Sequence, residues 1–392
     1  MMLSSSMPRS EVSNESQAPP SSPRLTSLDV LRGLTIALMI MVNTSGDGAH
    51  TFPFLSHAPW NGCTLADVVF PCFLFMVGIS IVFSLRGKVR KGVPSSTIIL
   101  QAAKRALVLF ALGLAVSSFP HYTWHTFRVF GVLQRIALCF FIATLLYLKA
   151  KPRTLVVVTV SILLGYWILL RWVPVPGFGM PGVDVPFLDP VGNFPAWLDR
   201  HLLPASHLYR ADFYDPEGLL SSVPSLATAL LGVLTGIWIT RNGVTSATAR
   251  GLLTASVSFL ALSGLWSIWF PLNKRLWTSS FVLFNAGLSL LALWFFFWLI
   301  DLRPGKKRFI EPALVFGTNS LAVYAFSEFF AGTLDAIRLP GRHQTVQQWL
   351  FHPLTLIFPN LYVAALAYAL LFVGVCYLPM LLLYRKQIFI KI

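Results

Sequence analysis

The chain has 392 residues, 55% of them hydrophobic and only 11% charged, with a mean hydropathy of +0.69. That balance excludes an ordinary soluble domain and fits a protein that crosses a membrane many times. The formal net charge of +15 does not indicate nucleic acid, because the basic residues are scattered through short segments between apolar runs and form no patch or stripe.

In chain order, residues 1–24 come first, polar and rich in Pro and Ser (Ser4, Ser5, Ser6, Pro19, Pro20, Ser21), and read as a disordered tail. No short apolar segment with a small-residue cleavage site precedes the first long run, so a cleaved secretory signal is not expected. Runs of about 20 mainly apolar residues then predict ten membrane helices over residues 25–392. They centre near Leu38, Phe75, Leu109, Phe140, Leu163, Leu230, Leu260, Leu290, Val323 and Phe372. The expected fold class is therefore all-α, a polytopic integral membrane protein. Two intervals stand apart: 334–360, which has room for a re-entrant or interfacial piece, and 171–218, rich in Pro, Gly and Asp, the largest extramembrane loop.

An even number of spans puts both termini on one face, and most of the 30 Lys and Arg fall on that face. Arg24 and Arg32 flank or open the first span. Arg86, Lys88, Arg90, Lys91, Lys104 and Arg105 follow the second, Lys149, Lys151 and Arg153 the fourth, and Arg385 and Lys386 close the last. By the positive-inside rule both termini are cytoplasmic and the first loop is extracytoplasmic. The four cysteines, Cys63, Cys72, Cys139 and Cys376, match neither a disulfide framework nor a zinc site, and no metal is expected.

That first loop holds His57, Trp60 and Asn61, with Asp67 just inside the second apolar run. An ionisable group inside a span costs roughly 2.5–3.5 kcal/mol on insertion scales, so Asp67 is a site candidate. The pattern Thr64-Leu65-Ala66-Asp67 is also a capping box, which would start a helix and do nothing else. His57, taken alone, reads as a loop histidine bound to backbone. Other polar groups fall at a similar depth: Asn43 ends the first span, Glu328 nears the outer end of the ninth, and Asn273 and Lys274 precede the eighth. Gln134 and Arg135 lie about 9 Å into the fourth span at 1.5 Å per residue. A buried Arg135–Glu328 ion pair is one reading of part of this set. A polar cavity open to the outside explains the whole of it better.

Several segments in order carry a family pattern: RLTSLDVLRGLTIALMIMVN, HAPWNGCTLADVVFPCFLF, GVLQR, YDPEG, PLNKRLWTSSF, GTNSLAVY and YRKQIFIKI. From about Arg24 to Ile392 the chain resembles the transmembrane acetyltransferases typified by heparan-α-glucosaminide N-acetyltransferase. The resemblance implies acetyl transfer from cytoplasmic acetyl-CoA to the amine of a glucosamine-type sugar, in the family's case on heparan sulfate, across the membrane. It makes His57 the catalytic residue and Asn43 its neighbour, with acetyl-CoA, a glucosamine-terminated saccharide and membrane lipids as partners, a homodimer as a further expectation, and no nucleic acid.

Around that centre Asp67 would orient the imidazole, and Asn43, Asn61 or Arg135 would donate to an oxyanion. Trp60 offers a stacking face for the sugar, Glu328 and Asp67 offer charge for its amine, and Gln134 and Lys274 complete the acceptor side. Arg32, Lys104 and Arg105, at or inside span ends, are candidate contacts for the CoA phosphates, and Asn319 of the GTNSLAVY segment is placed with them. Two features depart from the family. The animal enzyme has an extra N-terminal domain and a preceding helix where this chain has a short tail, which suggests a bacterial homologue of the inner membrane. It also has a His-Glu pair where this chain has Ser327-Glu328, and that bears on the acceptor.

Rival readings are a proton-coupled transporter, an acyltransferase acting on another envelope glycan or a lipid-linked sugar, and a non-enzymatic membrane subunit. No repeat of HAPWNG or GVLQR in the second half supports the internal symmetry of a carrier. The intact histidine motif argues against a decayed site. Acyl transfer to a different acceptor stays open.

Overall fold

The structure, a computed structural model, describes residues 25–390 except 121, 304, 306, 307 and 342. The tail expected over residues 1–24 lies outside the described residues. Among the described residues thirteen α-helices follow one another: α1 Thr26–Asn43, α2 Leu65–Arg90, α3 Ser95–Ser118, α4 Val132–Lys149, α5 Pro152–Trp172, α6 Phe194–Leu202 and α7 Ser222–Asn242. Then come α8 Ser246–Ser267, α9 Ser279–Phe296, α10 Glu311–Thr318, α11 Ser320–Ala336, α12 Val346–Ile357 and α13 Leu361–Arg385.

Among the described residues, nine helices are long and apolar enough to cross a membrane. The pair α10 and α11, bent by 83°, makes a tenth if it is one broken span. Each of the ten centres expected from the sequence falls inside a helix, because a run of about 20 apolar residues must satisfy its own backbone where water is absent. The bend occurs at Asn319, whose amide donates to the Ile388 carbonyl at 3.1 Å and whose oxygen accepts from the Ile390 N–H at 2.8 Å. The interval 334–360 holds α12, which at about 1.5 Å per residue is too short to cross hydrocarbon. The long 171–218 segment is mostly turns around α6.

The bundle centres on α2 against α7. A methyl group on Gly78 would lie 2.0 Å from the Ala229 carbonyl oxygen, and one on Gly232 would lie 2.0 Å from that of Phe75. The two backbones therefore touch, the small-residue packing that membrane helices use when they have no hydrophobic drive between them. A second apolar cluster, Tyr166, Leu170, Leu188, Phe270 and Leu276 with Trp60 packed against it, lies where α5 ends and the loop before α9 begins. It anchors that loop beside the start of α2.

Candidate active site

Helix α2 starts as the capping-box pattern requires. The Asp67 Oδ2 accepts the Thr64 N–H at 3.0 Å and also the Ala58 N–H at 3.0 Å, while the Thr64 hydroxyl donates to the Ser56 carbonyl at 2.7 Å. The other carboxylate oxygen, Oδ1, stands 2.8 Å from Nδ1 of His57. The cap and the site, alternatives in the sequence, are thus the two oxygens of one side chain. Asp67 is fully buried, whereas the His57 side chain keeps 43% of its surface open. A buried, fully bonded carboxylate holding an accessible imidazole leaves Nε2 as the ring nitrogen free to react.

A tight turn brings a cation to the same place. The Asn273 N–H donates to the Thr278 hydroxyl oxygen at 3.1 Å, the Leu276 N–H donates to Asn273 Oδ1 at 2.9 Å, and the Tyr166 hydroxyl donates to the Leu276 carbonyl at 2.6 Å. Trp277 closes the turn with φ of 55°, a conformation unusual for a bulky side chain, and its ring is completely buried. The turn is tied to the His57 loop by the Gly62 N–H on the Leu272 carbonyl, 2.7 Å, and by the Asn273 amide on Asn61 Oδ1, 3.1 Å. Lys274 consequently reaches His57, with Nζ 3.0 Å from Nδ1 and 3.1 Å from Nε2, and stands 3.6 Å from Asp67 Oδ1. Burial pushes the Lys274 ammonium below the usual lysine value, while Glu217 and Asp67 pull the other way.

His57, Asp67 and Lys274 line a cavity of about 460 Å³ whose other walls include Asn43, Tyr324, Glu328, Arg128 and Glu217. The Asn43 amide donates to Glu328 Oε1 at 3.0 Å. Arg128 grips the buried Asp215 through Nε at 2.8 Å and also binds Glu217. Burial alone would raise the Glu217 carboxyl, but the charges of Arg128, Arg135 and Lys274 hold it below the usual range. The cavity is a polar chamber of alternating charges with an imidazole on its wall. Neighbouring Cys63 is no competing nucleophile, since burial and the Asp67 charge push its thiol up to about 12.

The other residues singled out in the sequence take different places. Trp60 donates its indole N–H to the Leu188 carbonyl at 2.7 Å and sets its ring edge-on to Tyr214, and Asn61 faces Asn273. Neither is among the cavity-lining residues. Arg135 sits in the first turn of α4, shallower than the expected 9 Å, because α4 starts only at Val132. It does not pair with Glu328. Its guanidinium donates to the Pro216 carbonyl at 2.9 Å and to Ser222 Oγ at 3.2 Å, over the Trp277 ring. With Gln134 it lines a separate apolar groove of about 380 Å³.

At the other end of the bundle Arg32 donates to the Gly317 carbonyl at 3.2 Å and to Ser80 Oγ at 2.9 Å, and pairs with Asp29 at 3.3 Å. Arg105 lies over the Phe140 ring, Lys104 is exposed on α3, and Asn319 clamps the 388–390 segment. Arg128 and Glu217 were missed by sequence reading, although YDPEG, two carboxylates in a chain with 15 acidic residues, pointed toward them.

Fold and site together define a polytopic helical membrane protein with a carboxylate-held imidazole at one end of its bundle. Residues 24–275 match the family described as heparan-alpha-glucosaminide N-acetyltransferase, catalytic, and the chain belongs to that family. It is 28% identical to the heparan-alpha-glucosaminide N-acetyltransferase of Homo sapiens, with 79% of this chain and 53% of the human protein covered. Identity to the Mus musculus protein of the same name is 27%, over 78% of this chain and 53% of that one. The chain thus spans about half the length of the curated relatives it matches.

Proposed function

We propose that this chain is a membrane-embedded N-acetyltransferase that takes acetyl from acetyl-CoA on the cytoplasmic side and delivers it to the amine of a glucosamine-type sugar on the other. The observation that carries this reading is the 2.8 Å contact between His57 Nδ1 and Asp67 on the wall of the polar cavity. With the Nδ1 proton donated to Asp67, Nε2 holds a lone pair. It attacks the thioester carbonyl and releases CoA thiolate, after which the neutral sugar amine displaces the imidazole and gives its surplus proton to the freed Nε2; or it takes the proton of the amine while that amine attacks the thioester directly and CoA leaves as the thiolate. Both routes form a C–N bond to the sugar and break the C–S bond. Both build negative charge on the acyl oxygen, which the Lys274 ammonium is positioned to stabilise.

Glu217 and Glu328 give the cavity the charge to hold a cationic amino sugar. Arg32 and Arg105 lie about 9 Å and 15 Å in from the starts of α1 and α3 at 1.5 Å per residue, where their charge suits the phosphate end of a CoA that reaches in from the basic face, its pantetheine arm crossing the rest of roughly 30 Å of hydrocarbon. The basic bias of that end supports both termini being cytoplasmic. Purified protein given radiolabelled acetyl-CoA and a panel of amino sugars and amine-free glycans tests the proposal. Label on the 2-amino group of glucosamine is the expected result. Transfer to hydroxyl acceptors alone, or release of CoA without any acylated sugar, overturns it.

A further inference from the structure

A second cavity, of about 640 Å³, opens at the basic end of the bundle, where Val82 and Arg86 of α2, Ser95 of α3, Tyr147 of α4, and Ile237 and Arg241 of α7 meet. Arg86 lies about 28 Å along α2 from Asp67 at 1.5 Å per residue, so the cavity is remote from His57. It is also distinct from the Arg32 and Arg105 pair, neither of which lines it. Its chemistry is unbalanced. Arg86 and Arg241 both line it, and Lys149 at the end of α4, Lys151 between the helices and Arg153 in the first turn of α5 lie at the adjoining junction. Yet the sequence has no Asp or Glu anywhere in 68–183 or in 219–300, the stretches that supply every lining element.

Neither Arg86 nor Arg241 makes an ion pair among the described residues. Arg128, by contrast, is matched by two carboxylates. Two guanidinium groups that line one space with no carboxylate beside them attract an anion into it, and a guanidinium fork suits phosphate oxygens. The deeper wall is apolar, with Val82 and Ile237, which suits the start of an alkyl chain below a charged head group.

We propose that Arg86 and Arg241 form a binding site for a phosphate group, carried by a phospholipid of this membrane face or by a soluble phosphate. The site does not depend on the acetyl-transfer reading, since it serves whichever phosphate reaches the basic end. Juxtamembrane basic clusters are drawn to an anionic leaflet. The cavity adds to that diffuse attraction a defined place for one head group.

The test uses the full chain in dodecyl maltoside, titrated with phosphatidylglycerol, phosphatidylcholine or inorganic pyrophosphate while thermal unfolding is followed. Phosphatidylglycerol should raise the wild-type midpoint and phosphatidylcholine should not. The double variant Arg86→Gln with Arg241→Gln should weaken the apparent affinity about tenfold or more. Lys88→Gln with Arg90→Gln, which removes the same charge from residues outside the cavity lining, should leave it intact. A pyrophosphate response that competes with the lipid assigns the site to soluble phosphates; a lipid response alone assigns it to the membrane. Equal losses in both double variants, or no response to either anion, overturn the proposal. Native mass spectrometry of the wild type with mixed lipids decides the matter if the cavity variant does not fold. Retention of one phosphatidylglycerol or pyrophosphate per chain supports the site, and retention of neither rejects it.

Discussion

The Lys274 ammonium nitrogen is nearly equidistant from the two ring nitrogens of His57, at 3.0 and 3.1 Å. In the ring plane the C–H between those nitrogens would block such an approach, so Lys274 caps the face of the imidazole. A cation on the ring face does not occupy the in-plane lone pair of Nε2, and His57 lines the cavity. The cation also places positive charge where an acyl oxygen gains negative charge as Nε2, or the amine beside it, attacks.

Replacing Lys274 by Met should therefore lower kcat about 10²- to 10³-fold and change the KM for acetyl-CoA little. Burial holds the Lys274 ammonium below the usual lysine value, so the wild-type rate should fall at a pH below that at which a free lysine loses its proton. Lys274→Arg keeps its charge at any accessible pH and should move that basic limb upward. A pH–rate profile of the two proteins checks the direction, and an unmoved limb would exclude the lysine as its source.

Asp67→Asn should separate the two duties of that side chain. Asparagine keeps an oxygen to accept the Thr64 N–H of the capping box, so folding and the unfolding temperature should be nearly preserved. The imidazole, no longer held by a carboxylate, should lose about 10²- to 10⁴-fold in acetyl transfer. Asp67→Ala should lose the rate and in addition about 1–3 kcal/mol of stability, because the Thr64 and Ala58 N–H groups lose their acceptor. Comparing the melting temperatures of the two variants reads the loss of that acceptor.

Much of this arrangement was open to reading in the sequence, and the parts that were hidden have a common cause. The ten span centres fall in helices because long apolar runs admit few alternatives. His57 and Asp67 are ten residues apart in one motif, so a local pattern exposed them. The bend between α10 and α11 was invisible, since it depends on Asn319 binding Ile388 and Ile390 some 70 positions away. Arg128 and Glu217 pair across 89 residues through an irregular loop, a link with no periodic signature. Arg135 and Glu328 looked like partners by depth, but the turn before α7 supplies carbonyl and hydroxyl oxygens nearer to Arg135.

Arg128→Met should leave the buried Asp215 without its bidentate cation and Glu217 with only Arg135 and Lys274 opposite it, and destabilise the protein by about 3–5 kcal/mol. The sign of the pH effect follows. In the wild type the nearby cations keep the Glu217 carboxyl low despite its burial, so its ionised form contributes stability that is lost as pH falls through that lowered value. Without Arg128 the buried charge is a cost at neutral pH, and acid should partly restore the fold. Thermal unfolding of the variant at pH 7 and pH 5 checks this: a variant less stable at pH 5 than at pH 7 would contradict it.

His57 carries the central claim. Purified His57→Ala, shown to be folded by a melting temperature near that of the wild type, should bind acetyl-CoA yet transfer acetyl to glucosamine no faster than the protein-free background. Turnover close to the wild-type rate in that variant would contradict the account.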